Sequence, residues 1–90
     1  MEWQEENLSR AISASARRQI LRLLADKELT VKKIAELTKQ SVSLASRHLK
    51  FLYDLGFLNV RKDFPNKYYT LRIKEMRQLL ESYDRVIQKV

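Results

Sequence analysis

The sequence predicts a mainly α-helical domain that contains one small β-hairpin. Apolar residues recur at helical spacing through the first half of the chain, which is typical of amphipathic helices. After Gly56, the only glycine, aromatic and β-branched residues form two strand-like runs on either side of a proline. From residue 73 onward the helical spacing returns, with no glycine or proline. This order predicts a winged helix-turn-helix that forms dimers through its long C-terminal helix.

The size and charge of the chain indicate what it binds. Ninety residues allow one domain with a modest core, and chains of this size often bury further surface against a second subunit. The formal net charge is +7, and it is unevenly placed. Residues 15–56 carry a net +5 and residues 57–72 a net +3, whereas residues 1–14 carry −2. A basic middle region favours a polyanionic partner such as nucleic acid.

Missing residue types and motifs exclude several functions. The sequence has no cysteine, so disulfides, thiolate catalysis and thiolate metal sites are excluded. No apolar run is long enough to span a membrane and no signal-peptide pattern opens the chain, so we expect a cytoplasmic protein without a membrane partner. There is no glycine-rich phosphate loop, metal-ligand cluster or nucleophile–base pair, so we expect no catalytic residues, no enzyme activity and no cofactor.

Residues 1–14 predict a short first helix that supports a dimer. Trp3, Leu8 and Ile12 can share one side of this helix, and the acidic residues near its start suit the helix dipole. The apolar side is too thin to form a core by itself. We therefore expect Trp3, Leu8 and Ile12 to cover the last helix of a partner copy.

Residues 15–56 predict a helix-turn-helix core. A serine, Ser13 or Ser15, can cap its first helix, and Thr30 can cap the next one. Two short helices joined by three or four residues, the second of them polar and basic on its front, form a helix-turn-helix. The turn lacks the glycine that is common at this place.

The second helix of this motif is predicted to begin after a capping serine, Ser41, and to end at Gly56. One side is apolar, and the other carries short hydrogen-bonding groups and cations, which suits insertion into the DNA major groove. The alternative is an ordinary amphipathic surface helix. The predicted DNA-contacting residues of this region are Lys32, Lys33, Gln40, Ser41, Ser43, Ser46, Arg47 and Lys50.

Residues 57–72 predict a two-stranded hairpin, the wing. Pro65 is expected at the first central position of its turn and Asn66 at the second. A basic hairpin directly after a helix-turn-helix commonly lies against the sugar-phosphate backbone, and a plain structural hairpin with solvated lysines is the alternative. The predicted DNA contacts of the wing are Arg61, Lys62 and Lys67.

Residues 73–90 predict one long helix with a heptad seam. Apolar residues step by three and four along this segment, which is the pattern of a helix that packs on a partner helix. A seam of this length is too large to leave in water, so we expect an obligate homodimer that binds double-stranded DNA at an inverted repeat. The seam consists of Ile73, Met76, Leu80, Tyr83, Ile87 and Val90.

A specific set of motifs runs through the middle of the chain. ARRQIL is followed by SVSLASRHLKFL, by the helix exit LGFL and by the hairpin RKDFPNKYYTL. In this order, residues 16–71 resemble the ArsR-type winged-helix repressors. The resemblance implies a homodimeric, DNA-binding transcriptional regulator whose reading helix carries Ser43, Ser46, Arg47 and Lys50.

The sequence also departs from that family. Many ArsR-type members sense metals through cysteines or through Asp/His pairs on the last helix, whereas this chain has no cysteine and no histidine in that helix. Acidic residues alone hold only hard cations, and weakly, so we expect no bound metal. The only histidine, His48, lacks the partners of a catalytic base or a metal site, and we expect it to pack, partly buried, behind the reading residues.

Two other classes of function are alternatives. One is a small hydrolase or transferase, against which the missing catalytic motifs argue, and the other is a winged-helix module with a different partner. A winged-helix module can also serve for protein–protein contact or for binding single-stranded nucleic acid, where aromatic residues such as Tyr68 and Tyr69 stack on bases. The basic wing and Arg47 argue against a role in protein contact alone. Competition between duplex and single strand separates the two nucleic-acid options.

Overall fold

The computed structural model describes residues 2–90 and confirms the predicted fold class. Five helices surround a small three-stranded sheet, and the hairpin formed by its last two strands is the wing. In chain order the elements are α1 (Glu2–Ile12), α2 (Ser15–Leu23), β1 (Leu29–Thr30), α3 (Val31–Thr38), α4 (Val42–Asp54), β2 (Leu58–Asp63), β3 (Asn66–Leu71) and α5 (Glu75–Gln88).

Side-chain caps fix the starts of the two helices of the helix-turn-helix. The Thr30 hydroxyl accepts a hydrogen bond from the Lys33 backbone N–H at 3.2 Å, and the Ser41 hydroxyl accepts one from the Leu44 N–H at 3.0 Å. Each bond satisfies one of the N–H groups that a helix leaves unpaired at its start. Both predicted caps are therefore confirmed.

The start of α2 differs from the prediction. Ala14 occupies the cap position and supplies no side-chain hydrogen bond. Ser13 donates its hydroxyl to the carbonyl of Arg10 instead, at 3.1 Å. The prediction of a serine cap for α2 was therefore wrong, since this serine closes the end of α1.

Two positions have left-handed backbone, and only one of them is a glycine. Gly56 has φ 93° where α4 ends, as the sequence predicted, and no L-residue adopts that angle readily. Lys39 has φ 56° at the C-cap of α3, in the turn of the helix-turn-helix. A lysine thus holds the place where this motif commonly has a glycine.

The sheet contains a strand that the sequence did not reveal. Its order is β1-β3-β2 and all pairs are antiparallel. Strand β1 has only two residues, and it pairs with Tyr69 and Tyr68 of β3 just before α3 begins. This pairing attaches the wing to the start of the helix-turn-helix.

The turn of the wing differs by one position from the prediction. Asp63 pairs with Asn66 across the hairpin, so Phe64 and Pro65 are the two central residues and their peptide bond is cis. Pro65 therefore holds the second central position, and Asn66 belongs to β3.

The core corrects the prediction for the last helix. Helix α5 begins at Glu75 and ends at Gln88, and its inner side packs on the body of the same chain. Met76 and Leu80, which we expected at a dimer interface, are buried in the core of the single chain, with Leu80 only 2% exposed. They join a cluster with Ala11, Ile20, Leu21, Leu24, Ile34, Ala35, Ala45, Leu49, Leu52, Phe57, Leu58 and Leu71.

Candidate DNA-binding surface

Helix α4 presents three distinct sides. Its back, Ala45, Leu49 and Leu52, is fully buried. One flank carries His48 and Phe51 and faces α1 and α2. The front carries the four predicted reading residues, which the structure leaves exposed together on one face: Ser43, Ser46, Arg47 and Lys50.

The wing turns its own lysines toward this front. Side chains alternate along a strand, so residues 60, 62, 67 and 69 share one face of the hairpin. That face and α4 border a cleft of about 280 Å³, lined by Lys62 and Lys67 on one side and by Ser46 and Lys50 on the other. The two predicted DNA-contacting elements therefore form the walls of one cleft.

A second cleft extends the first toward α3. It also measures about 280 Å³ and lies between the start of α3, α4 and the wing tip. Lys32 lines it together with Lys67 and Ser46. We call the two clefts together the basic trough, defined by Lys32, Ser46, Lys50, Lys62 and Lys67.

The cations of the trough differ in how they are paired. Lys50 donates to the Asp54 carboxylate at 2.9 Å, and this hydrogen bond raises the pKa of the Lys50 ammonium. Lys32, Lys62 and Lys67 form no ion pair with any residue between 2 and 90. The trough thus holds uncompensated positive charge that is available to a polyanion.

Two other predicted contacts are occupied within the protein. Lys33 pairs with Glu36 at 3.2 Å, one helical turn along α3. The Ser41 hydroxyl serves as the cap of α4. The side-chain oxygen of Gln40 is buried and accepts no hydrogen bond from the residues that the structure describes.

Arg61, a predicted DNA contact, is held within the protein. It lies on the opposite face of the wing from Lys62, stacks at 4.4 Å on the ring of Tyr68 and donates two hydrogen bonds to the Glu28 carboxylate, at 2.7 and 3.0 Å. The hydrogen bonds from the Arg61 guanidinium lower the pKa of the Glu28 carboxyl group. Arg61 thus ties the wing to the residue before β1, and its contact with DNA stays a prediction.

The structure reveals a junction of α1, α2 and α4 that the sequence did not show. The guanidinium of Arg17 donates to the backbone carbonyls of Arg10 and Ala11 at 2.7 and 3.2 Å, and so closes the end of α1. It also lies 4.6 Å from the centre of the Phe51 ring on α4. Arg18 reinforces the junction by donating to the carbonyl of Ile12 at 2.7 Å.

His48 lies beside this junction and is partly buried. Burial, together with the positive charges of Arg17 and Arg47, lowers the pKa of the His48 imidazole. Each of these causes disfavours the charged ring. Its surroundings therefore favour the neutral form of the His48 ring.

A second candidate surface, for a partner subunit, lies on α1 and α5. A largely apolar groove of about 480 Å³ runs between them, with Leu8, Leu55, Phe57, Ile73 and Leu79 among its lining residues. Apolar side chains are exposed beside this groove. Among them are Trp3, which is 68% exposed, Leu79 and Val86 on one side of α5, and Ile87 near the end of that helix.

The described residues form neither a membrane-spanning helix nor a cluster of metal ligands. No helix within residues 2–90 is both long and apolar enough to cross a membrane. No three histidine, cysteine or acidic side chains in the same range come together as ligands for a metal ion.

The chain is similar to known regulatory proteins. The family described as "Bacterial regulatory protein, arsR family" matches residues 14–60. Over 79 residues the chain is 34% identical to the transcriptional activator HlyU of Vibrio cholerae, which covers 88% of this chain and 73% of that protein. It is also 34% identical over 73 residues to a homologue of the cadmium resistance regulatory protein CadC from Staphylococcus aureus. That match covers 80% of this chain and 60% of that protein.

Solved structures of such regulators resemble the whole fold. The structure of HlyU from Vibrio cholerae has a TM-score of 0.84 at 32% identity, with 94% of this chain and 92% of that chain covered. A homodimeric winged helix-turn-helix domain from Mycobacterium bovis, described as a possible ArsR-family regulator, has a TM-score of 0.83 at 28% identity. It covers 96% of this chain and 80% of the other.

Proposed function

This chain belongs to the ArsR family of bacterial regulatory proteins, and we propose that its homodimer binds an inverted repeat in double-stranded DNA with α4 in the major groove. The chain is thus a DNA-binding transcriptional regulator. The alternative of a module for protein contact or single strands is not favoured, because the family and its matched relatives regulate transcription.

The observation that carries the proposal is the basic trough between α4 and the wing. A duplex carries one negative charge for about every 1.7 Å of its axis, and cations that neutralise phosphates supply much of the affinity. Lys32, Lys62 and Lys67 line the trough without an internal ion pair. The front of α4 lies along the same trough, so a helix in the groove and lysines on the backbone can act together.

Within this arrangement the residues have different roles. Arg47 is fully available on the front of α4 and suits a two-pronged contact with a guanine edge. Ser43 and Ser46 offer shorter hydroxyls to bases or phosphates. Lys50 lies one helical turn from Ser46 on the same front of α4. On binding, its ammonium group leaves the Asp54 carboxylate and contacts DNA.

The dimer contact is proposed for the outer sides of α1 and α5. A two-fold axis covers both copies of one apolar surface at the same time. The surface consists of the groove between the two helices and the exposed residues beside it. Of the residues predicted from the sequence, Trp3, Leu8, Ile12, Ile73, Tyr83, Ile87 and Val90 remain candidates, and Leu79 and Val86 are added to them.

Other expectations remain part of the proposal. We place the regulator in the cytoplasm, with access to DNA, and assign it neither an enzyme activity nor a cofactor. Cysteine-based sensing is unavailable to these 90 residues, which contain no cysteine.

Two alanine variants test the division between base reading and phosphate contact. Arg47→Ala is expected to cost about 1–3 kcal/mol on the preferred duplex and little on random duplex, because a base contact is lost. Lys62→Ala is expected to weaken both duplexes alike and to lower the salt slope by about one. Titrations of both duplexes at several salt concentrations measure these effects.

The matched control is Lys89→Ala, at the far end of α5, which is expected to change neither affinity. Equal losses on both duplexes for Arg47→Ala would mean that Arg47 contacts phosphate. The assignment of α4 as the reading helix would then have to be abandoned.

A further inference from the structure

The tip of the wing carries a side chain that the folded protein does not use. Phe64 is 96% exposed and belongs neither to the core nor to the residues packed against it. Isolated apolar residues on a surface are common, but an aromatic ring left almost wholly in water at the end of a hairpin is not explained by the turn. Turn positions favour Gly, Asn, Asp, Ser and Pro, each for its own reason, and Phe is not among them.

The geometry of the hairpin makes Phe64 its most distant point. Asp63 pairs with Asn66, so only Phe64 and Pro65 lie beyond the last pair of the ladder. From Val60, which faces α4, the strand continues for four residues to Phe64, a reach of about 13 Å at the usual rise per residue. Pro65 lines the second cleft of the basic trough, so the exposed ring of Phe64 stands directly beside that trough.

The charges behind the tip indicate what meets it. Lys62 and Lys67 are direct partners across the hairpin, so two like charges face each other on one side of the wing. Such a pair is unfavourable in the free protein. Neither lysine is paired with an acid in residues 2–90, and a phosphate group lying across both removes the repulsion.

We propose that Phe64 enters the DNA minor groove beside the major-groove site and wedges partly between two stacked base pairs. Apolar side chains of this kind unstack a base step and kink the duplex, and flexible pyrimidine–purine steps yield most easily. Lys62 and Lys67 hold the flanking phosphates while the ring enters a groove about 6 Å wide. The inference rests on the proposed DNA binding and adds a preference for flanking sequence that α4 does not read.

The test uses a duplex that the wild-type protein selects from a random pool. Adenines outside the inner contacts are replaced one at a time by 2-aminopurine, whose fluorescence rises when its base is unstacked. Wild-type protein is expected to raise the signal at one step on each flank. Phe64→Ser is expected to abolish that rise and to weaken binding about tenfold, because stacking of an aromatic ring on a base is lost.

Phe64→Leu is the matched variant, since leucine is also a known wedge and should preserve the rise in fluorescence. Near-UV circular dichroism and thermal unfolding of both variants show that the hairpin remains folded. The wedge is refuted if wild-type protein raises the 2-aminopurine fluorescence at no flanking position. It is also refuted if Phe64→Ser gives the same affinity and the same fluorescence as the wild type. In both cases the proposed DNA binding still stands. If the wild type selects no duplex at all, the proposed function itself fails.

Discussion

Lys39 has the one left-handed backbone conformation among the non-glycine residues that the structure describes, with φ 56°. An L-residue in this conformation costs of the order of 1 kcal/mol, whereas glycine adopts it freely. The lysine side chain is exposed and forms no ion pair within residues 2–90 that would compensate this cost. The turn of the helix-turn-helix is therefore slightly strained.

Lys39→Gly is expected to raise the free energy of unfolding by about 0.5 kcal/mol, because the relief of strain exceeds the added entropy of glycine in the unfolded chain. Chemical denaturation measures it. Lys27→Gly, at a position without a positive φ, is the control and should lower the free energy of unfolding. If both variants are destabilised alike, the strain at Lys39 is not significant.

The residue scale also shows which contacts could be predicted from the sequence. Thr30 and Ser41 cap helices whose N–H groups lie three residues away, so the local sequence contains both partners. The pairing of Arg61 with Glu28 spans 33 residues. The residues next to Arg61 in the sequence do not show whether its side chain is unpaired or bound to an acid. Only the register of the sheet brings Arg61 close to Glu28.

At the scale of elements, the junction of α1, α2 and α4 connects the proposed dimer surface to the reading helix. Arg17 closes the carbonyl end of α1 and stacks on Phe51 of α4, and Arg10 also lies 5.5 Å from the centre of that ring. These side chains therefore join the end of α1 to the flank of α4.

Arg17→Met is expected to lower the free energy of unfolding by about 1–3 kcal/mol, because carbonyl groups at the end of α1 lose their partner while the aliphatic volume is kept. Thermal and chemical unfolding measure the loss. Arg85→Met is the control, since Arg85 bonds only to the Ser82 hydroxyl at 3.0 Å. A stability equal to that of the wild type would show that the junction does not fix α1.

The helices and strands differ in how far the sequence alone predicts them. The reading helix and the wing could be predicted because their periodicity and turn residues are local. Strand β1 could not, because two residues become a strand only by pairing with β3. The regular spacing along residues 73–90 puts Met76 and Leu80 on one side of α5, and both are buried. Spacing cannot tell whether such a side meets the chain's own core or a second copy.

At the scale of the whole molecule, a test of the dimer must change a residue of α5 that is exposed in the single chain and not one that is buried in its core. A charge at Leu80 would be buried in the core of one chain, so Leu80→Glu is expected to unfold the protein and gives no information on the interface. Val86 is 62% exposed on the outer side of α5. A negative charge at position 86 does not disturb the fold of a single chain. In a dimer, the two copies of that charge would repel each other.

Val86→Glu is therefore expected to give a folded monomer that has lost specific DNA binding, although no DNA-facing residue has changed. Sedimentation at micromolar concentration and circular dichroism measure association and folding together. Lys27→Glu, in the exposed turn between α2 and β1 and outside the proposed dimer surface, is the control and should stay dimeric. A Val86→Glu protein that remains a dimer would place the interface elsewhere.

The central claim is that a two-fold dimer reads DNA with two copies of α4, and selection of bound fragments from a pool of random duplexes tests it most directly. A two-fold dimer places its reading helices in successive major grooves, about 34 Å apart. We expect the enriched duplexes to share two inverted half-sites whose centres are about 10–10.5 base pairs apart. Enrichment of a single unrepeated motif, or of no common sequence, would contradict it.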